Sequence, residues 1–160
     1  MALQFSAATL AQYRDILTRY PERQAALLPT LWLAQKEFGW LSEEALAYVA
    51  ELMELPAARV AGVASFYTMY YKVPVGKYHL QVCRTLSCAL RGAGEITACI
   101  EKRLGIKTGE TTPDKKFTLS EVECLASCGT APMLQLNDDY IENLTVESTL
   151  ELVERLEKES

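Results

Sequence analysis

Apolar residues recur at three- and four-residue steps from the start of the chain, with Leu10, Tyr13, Leu17 and Tyr20 along one helical face that Pro21 closes. A second helical stretch runs from about Arg23 to Phe38, with Leu27, Leu31, Ala34 and Phe38 in register. Pro29 inside it predicts a kink, and Gly39 a left-handed stop. Ser42 is placed to cap a third helix that carries Leu46, Val49 and Met53 inward, with Glu43 and Glu44 at the positive end of its dipole. Leu55-Pro56 separates it from a fourth that contains Val60, Val63 and Ala64. As far as about Lys72 the chain therefore reads as a small bundle of short helices.

Val73-Pro74-Val75-Gly76 breaks the helical rhythm, and the period then changes. Tyr78, Leu80 and Val82 alternate with His79 and Gln81, the two-residue repeat of a half-buried strand ending at Cys83. From about residue 92, Ile96, Cys99, Ile100 and Leu104 share a helical face that Gly105 terminates, and Pro113-Asp114 turns the chain into a second strand at about 117–123. Met133 to Leu136 predicts a third strand, Asn137-Asp138-Asp139 a turn, and Tyr140-Ile141 a short fourth. Thr145 is placed to cap a final helix that buries Val146, Leu150, Val153 and Leu156. The expected organisation is an α+β chain with an α/β unit: a helical bundle over 1–74, then a β-α-β-β-β-α domain over 75–160.

The chain has 160 residues, 49% hydrophobic and 23% charged, which excludes disordered and fibrous classes. Its net charge of −5, with no block of Lys or Arg, argues against nucleic acid or an anionic membrane surface as partner. Apolar runs are interrupted at Arg59, Lys72 and Glu101, so none reaches the roughly 18 residues of a membrane-spanning helix. Met1 to Ser6 carries no basic segment followed by an apolar run, and the cytoplasm is the expected compartment.

Five cysteines are too few for a disulfide-dense scaffold, and four of them form two close pairs, Cys83/Cys88 and Cys124/Cys128. A strand, a crossover helix and a second strand in one sheet give parallel neighbours, whose carboxyl ends emerge on the same edge. Each pair sits at such an end, so the two loops should meet although residues 89–123, 35 in all, lie between them. Four convergent thiolates suit tetrahedral zinc or an iron–sulfur cluster, and spacings of C-x4-C and C-x3-C do not decide between these or a disulfide. A thioredoxin-like thiol oxidoreductase is the least favoured alternative, because its C-x-x-C is absent.

Cys83-Arg84-Thr85-Leu86-Ser87-Cys88 and Cys124-Leu125-Ala126-Ser127-Cys128 resemble the ligand set of the thioredoxin-like [2Fe-2S] ferredoxins. Further segments resemble the family of 24 kDa, E-type subunits of respiratory NADH:quinone oxidoreductases, complex I. They are Gly62-Val63-Ala64-Ser65-Phe66-Tyr67, Pro74-Val75-Gly76-Lys77-Tyr78, Leu104-Gly105-Ile106-Lys107, Gly109-Glu110-Thr111-Thr112-Pro113-Asp114, and Ala131-Pro132 leading to Asn137-Asp138. The resemblance spans nearly the whole chain. It implies a thioredoxin-like domain with one [2Fe-2S] cluster on Cys83, Cys88, Cys124 and Cys128, docked on a flavoprotein subunit that binds NADH and FMN in the peripheral arm of a membrane-associated complex. Equivalent subunits of NAD-reducing hydrogenases and formate dehydrogenases, or a structural zinc protein using the same four cysteines, are the alternatives.

No G-x-G-x-x-G or P-loop phosphate cradle occurs, and one distant His cannot complete a nucleophilic triad, so nicotinamide, flavin and quinone sites are expected on other chains. The four thiolates outweigh the charge of a two-iron core, so the expected potential is low within the broad iron–sulfur range, moderated by amides near Thr85–Cys88 and Leu125–Thr130. Cys99 reads as a small core hydrophobe, and His79, the only histidine, as a surface or hydrogen-bonded residue. Phe66, Tyr67, Tyr70 and Tyr71 have helical spacing that suits packing or a partner-facing patch. Gly129 and Pro132 bracket the loop after Cys128, either as plain turn residues or to let a cluster approach the backbone, and Pro132 is a candidate for a cis bond.

Overall fold

The computed structural model describes residues 3–159, and the chain divides into two compact units, one ending at Pro74 and the other beginning at Val75. The first contains α1 (Ala7–Thr18), a 3-10 turn (Arg23–Ala26), α2 (Leu27–Phe38), α3 (Glu43–Met53) and α4 (Ala57–Phe66). Leu31, Val49, Met53, Val60 and Tyr70 are fully buried in its core. The Ser6 and Ser42 side chains accept the N–H groups of Thr9 and Ala45, capping α1 and α3.

The kink expected at Pro29 is replaced by a break upstream of it. The α-helix begins only at Leu27, which puts Pro29 in the first turn, where its missing N–H removes no intrahelical bond. The aromatic run also departs from helical spacing. α4 stops at Phe66 and Tyr67 is extended, so Tyr67, Tyr70 and Tyr71 lie in the turns beyond. Tyr70 is core, with its hydroxyl donating to the Leu28 carbonyl at 2.8 Å, whereas Phe66 is 79% exposed.

The second unit contains β1 (Tyr78–Cys83), α5 (Leu86–Leu90), α6 (Ala93–Leu104), β2 (Phe117–Val122), a 3-10 turn (Cys128–Thr130), β3 (Leu134–Leu136), β4 (Asp139–Ile141) and α7 (Val146–Lys158). Its sheet has the order β2-β1-β3-β4, with β1 parallel to β2 from Tyr78↔Phe117 to Cys83↔Val122 and antiparallel to β3. This is the expected strand and helix order with one addition, the short α5 inside the first cysteine segment. β1, which lies between β2 and β3, is buried at all six positions, not at alternate ones, His79 and Gln81 included.

Leu80, Val82, Leu119, Met133 and Leu134 form the core with Ile96 and Ile100 of α6 and Leu152, Val153 and Leu156 of α7. The inward face of α7 is rotated from the expected one: Leu152 is buried and Leu150 is 36% exposed. Thr145 and Ser148 form a reciprocal capping box at its start. Gly76 is required by close approach, because a Cβ there would lie 2.8 Å from the Phe117 carbonyl carbon. No helix among the described residues is long and apolar enough to cross a membrane.

His79 is buried and pairs through Nε2 with Ser120 Oγ at 2.8 Å, and burial pushes its pKa down to about 4. Between the ordinary value of 6.5 and about 4, the unfolded chain binds a proton that the folded chain does not, so stability falls as the pH falls through that window. The NMR resonances of this single imidazole should therefore titrate near pH 4; a midpoint near 6.5 would contradict its burial.

Candidate metal centre

The site begins with the parallel pairing of β1 and β2. Cys83 is the last residue of β1 and lies opposite Val122, the last of β2, so the segments that carry the remaining cysteines leave the sheet side by side. The backbone continues to cross-link there: the N–H of Arg84 donates to the Val122 carbonyl at 3.0 Å, and that of Cys83 to the Met133 carbonyl at 3.2 Å. The exposed Arg84 and Glu123 side chains pair with each other beside the site, so neither adds an uncompensated charge.

Cys83, Cys88, Cys124 and Cys128 line one cavity of about 150 Å³, together with Thr85, Leu86, Ser87, Ala126 and Ser127. All five thiols of the chain are free. Among the described residues no group of three or more His, Cys, Asp or Glu side chains is gathered to hold a single metal ion. A two-iron cluster asks for a different arrangement, two thiolates on each iron.

The two pairs differ in environment. Cys83 and Cys88 are buried, and Cys124 and Cys128 are exposed. Burial pushes the Cys83 thiol up, but N–H donors from Leu125 and Thr85, with the Cys88 thiol and the nearby Thr85 side chain, outweigh it and bring the pKa below the ordinary thiol value. Cys88 is raised by burial and by donating its own proton to Cys83. The two members of this buried pair are therefore shifted in opposite directions. In the exposed loop Ala126, at φ 63°, directs its N–H to Cys124 Sγ at 3.3 Å. Sulfurs that face backbone amide donors fit a sulfur-ligated iron centre.

Several residues that hold this geometry carried no sequence signal. α5 brings Cys88 back beside Cys83, and Arg91 at its C-terminus donates to the Ala131 carbonyl at 2.6 Å. The Tyr140 hydroxyl donates to the Leu125 carbonyl at 2.9 Å. The Glu142 carboxylate accepts from the hydroxyls of Ser127 and of Thr130, the latter at 2.6 Å, and these bonds hold its pKa below the usual carboxylate range. Two side chains from the β4 hairpin thus hold the loop from Cys124 to Cys128 from outside.

The other candidates fall elsewhere. Cys99 packs against the core with its thiol donating to the Ile96 carbonyl at 3.1 Å, burial raises its pKa, and it lines a separate groove between α6 and α7. Gly129 meets no protein atom that a Cβ would strike, so packing does not demand glycine there. The Ala131-Pro132 bond is cis.

Replacing Glu142 by Ala removes the shared acceptor of Ser127 and Thr130. Hydrogen exchange followed by mass spectrometry should show faster exchange confined to residues 124–130, with the sheet still protected. Unchanged exchange in this loop would mean that the carboxylate does not hold it.

Comparison with known proteins finds relatives over most of the chain. The family described as thioredoxin-like [2Fe-2S] ferredoxin matches residues 13–157. A Rickettsia felis protein that bears the name of the E subunit of NADH-quinone oxidoreductase is 48% identical over 153 residues, 94% of this chain and 92% of its own length. A Dictyostelium discoideum protein named NADH dehydrogenase [ubiquinone] flavoprotein 2, mitochondrial, is 46% identical over 155 residues, 95% of this chain and 63% of that one. Among solved structures, an NAD+-reducing [NiFe]-hydrogenase matches with a TM-score of 0.74 and 23% identity over 86% of this chain, which spans 24% of the hydrogenase chain.

Proposed function

The chain belongs to the thioredoxin-like [2Fe-2S] ferredoxin family, and from that premise we propose that it is the electron-carrying E-type subunit of an NADH:quinone oxidoreductase. In this reading one cluster is held by Cys83 and Cys88 on one iron and by Cys124 and Cys128 on the other. The observation that carries it is the meeting of four thiols, from two parallel strand ends, around one cavity. The names and high identity of the full-length relatives support the host complex. The hydrogenase likeness, at 23% identity, speaks for the fold alone.

A [2Fe-2S] cluster supplies one-electron exchange when bound. The protein's own part is electrostatic and geometric. Burial around Cys83 and Cys88 limits water on one side of the site, which makes added negative charge costly and favours a low potential. The N–H groups of Thr85, Leu125, Ala126 and Met133 that point at cysteine sulfurs offset part of that cost. The Tyr140 and Glu142 contacts limit loop rearrangement when the charge changes.

NADH and FMN belong, in this proposal, to a partner flavoprotein subunit, and this chain has no nicotinamide or quinone site of its own. The absence of a Gly-rich phosphate cradle from the sequence supports that division. The proposed setting is the cytoplasmic, peripheral arm of a membrane-associated complex, with 1–74 and 75–160 as separate domains.

Anaerobically purified full-length protein should be red-brown, contain iron and acid-labile sulfide in equal amounts, and give a rhombic EPR signal after dithionite. Cys124→Ala should lose or severely destabilise the cluster, whereas Cys99→Ala should leave the spectrum unchanged. Colourless protein with one zinc per chain would overturn the proposal in favour of a structural metal site.

A further inference from the structure

Thr85 occupies the N-cap position of α5, where a threonine hydroxyl ordinarily accepts a hydrogen bond from the first turn of the helix. Here it does not: the Thr85 side chain makes no capping bond. Its Oγ1 is nonetheless buried and completes no hydrogen bond. A buried hydroxyl left in this state is costly unless a further acceptor is supplied.

The acceptor is defined by the surroundings. Thr85 lines the same cavity as the four cysteines and stands two residues from Cys83, whose sulfur its side chain neighbours together with the N–H groups of Thr85 itself and Leu125. A metal-bound thiolate is a strong hydrogen-bond acceptor. Resting on the reading that Cys83 is a cluster ligand, we propose that the Thr85 hydroxyl donates a hydrogen bond to the Cys83 sulfur and raises the reduction potential of the centre.

The sign follows from charge. Reduction adds one electron to the cluster, part of whose density resides on the ligand sulfurs, and an O–H dipole aimed at such a sulfur stabilises the reduced form more than the oxidised one. Loss of the hydroxyl therefore lowers the potential. Thr85 tunes the centre without ligating it.

The test is a redox titration of the full-length, cluster-containing protein, followed by EPR, with T85V, T85A and T85S compared with the wild type. T85V and T85A should shift the ratio of oxidised to reduced cluster at fixed potential about tenfold toward oxidised, about 59 mV for a one-electron couple. T85S, which keeps the hydroxyl, should titrate close to the wild type. Resonance Raman spectra should show a cysteinyl Fe–S stretch that moves in T85V and T85A but not in T85S. If T85V and T85A do not retain the cluster while T85S does, the hydroxyl is again the operative group. Unchanged potential and Raman bands in T85V, or a T85S that behaves like T85A, would overturn the inference while leaving the cluster reading intact. Absence of any iron–sulfur centre from the wild type would remove both.

Discussion

The parallel ladder between β1 and β2 is the constraint from which the rest of the second unit follows. Six residues of strand span about 20 Å, so antiparallel pairing would leave the two cysteine pairs at opposite ends of the sheet. In the parallel register Cys83 lies opposite Val122, and both cysteine segments leave the same edge. The ladder is secured by burial: Leu80, Val82 and Leu119 are fully enclosed, each side chain contributing about 1.5–3 kcal/mol. The exposed cysteine loop packs against this core through the partly buried Leu125 and is held further by polar contacts from the neighbouring hairpin.

That contrast produces two unlike halves of one site. Cys83 and Cys88 are set into the protein interior by the end of a central strand and a short helix. Cys124 and Cys128 are presented on the surface, held by Tyr140 and Glu142. A low-dielectric wall on one side and solvent on the other is an environment in which each hydrogen-bond donor aimed at sulfur changes the energy of an added electron appreciably. In the proposed centre the local geometry is therefore as much a part of the electron chemistry as the four sulfurs.

Much of this was legible in the sequence because it depends on period and spacing. The alternation from Tyr78 to Val82, the helical repeat of Ile96, Ile100 and Leu104, and the positions of the cysteines after two strands lead to the parallel crossover without any contact information. What was illegible depends on tertiary context. His79 and Gln81 mimic an exposed strand face, yet a central strand buries them. Pro29 marks the first turn of a helix, not a kink, because the preceding residues adopt 3-10 geometry. α5 is too short to show a period, and the Tyr140 and Glu142 contacts join residues 15 apart by hydrogen bonds that leave no pattern in the chain. Thr85 has the sequence context of an ordinary turn residue; its buried hydroxyl without a partner, in the cysteine cavity, sets it apart.

The central claim is that these four sulfurs bind two irons as one electron-accepting unit. Mössbauer spectroscopy of iron-57-enriched, full-length protein addresses it most directly, because it counts iron environments and follows each through reduction. The account predicts two ferric sites coupled to a diamagnetic ground state, with one becoming ferrous on uptake of a single electron. A lone uncoupled iron, or spectra without iron bound to sulfur, would contradict it.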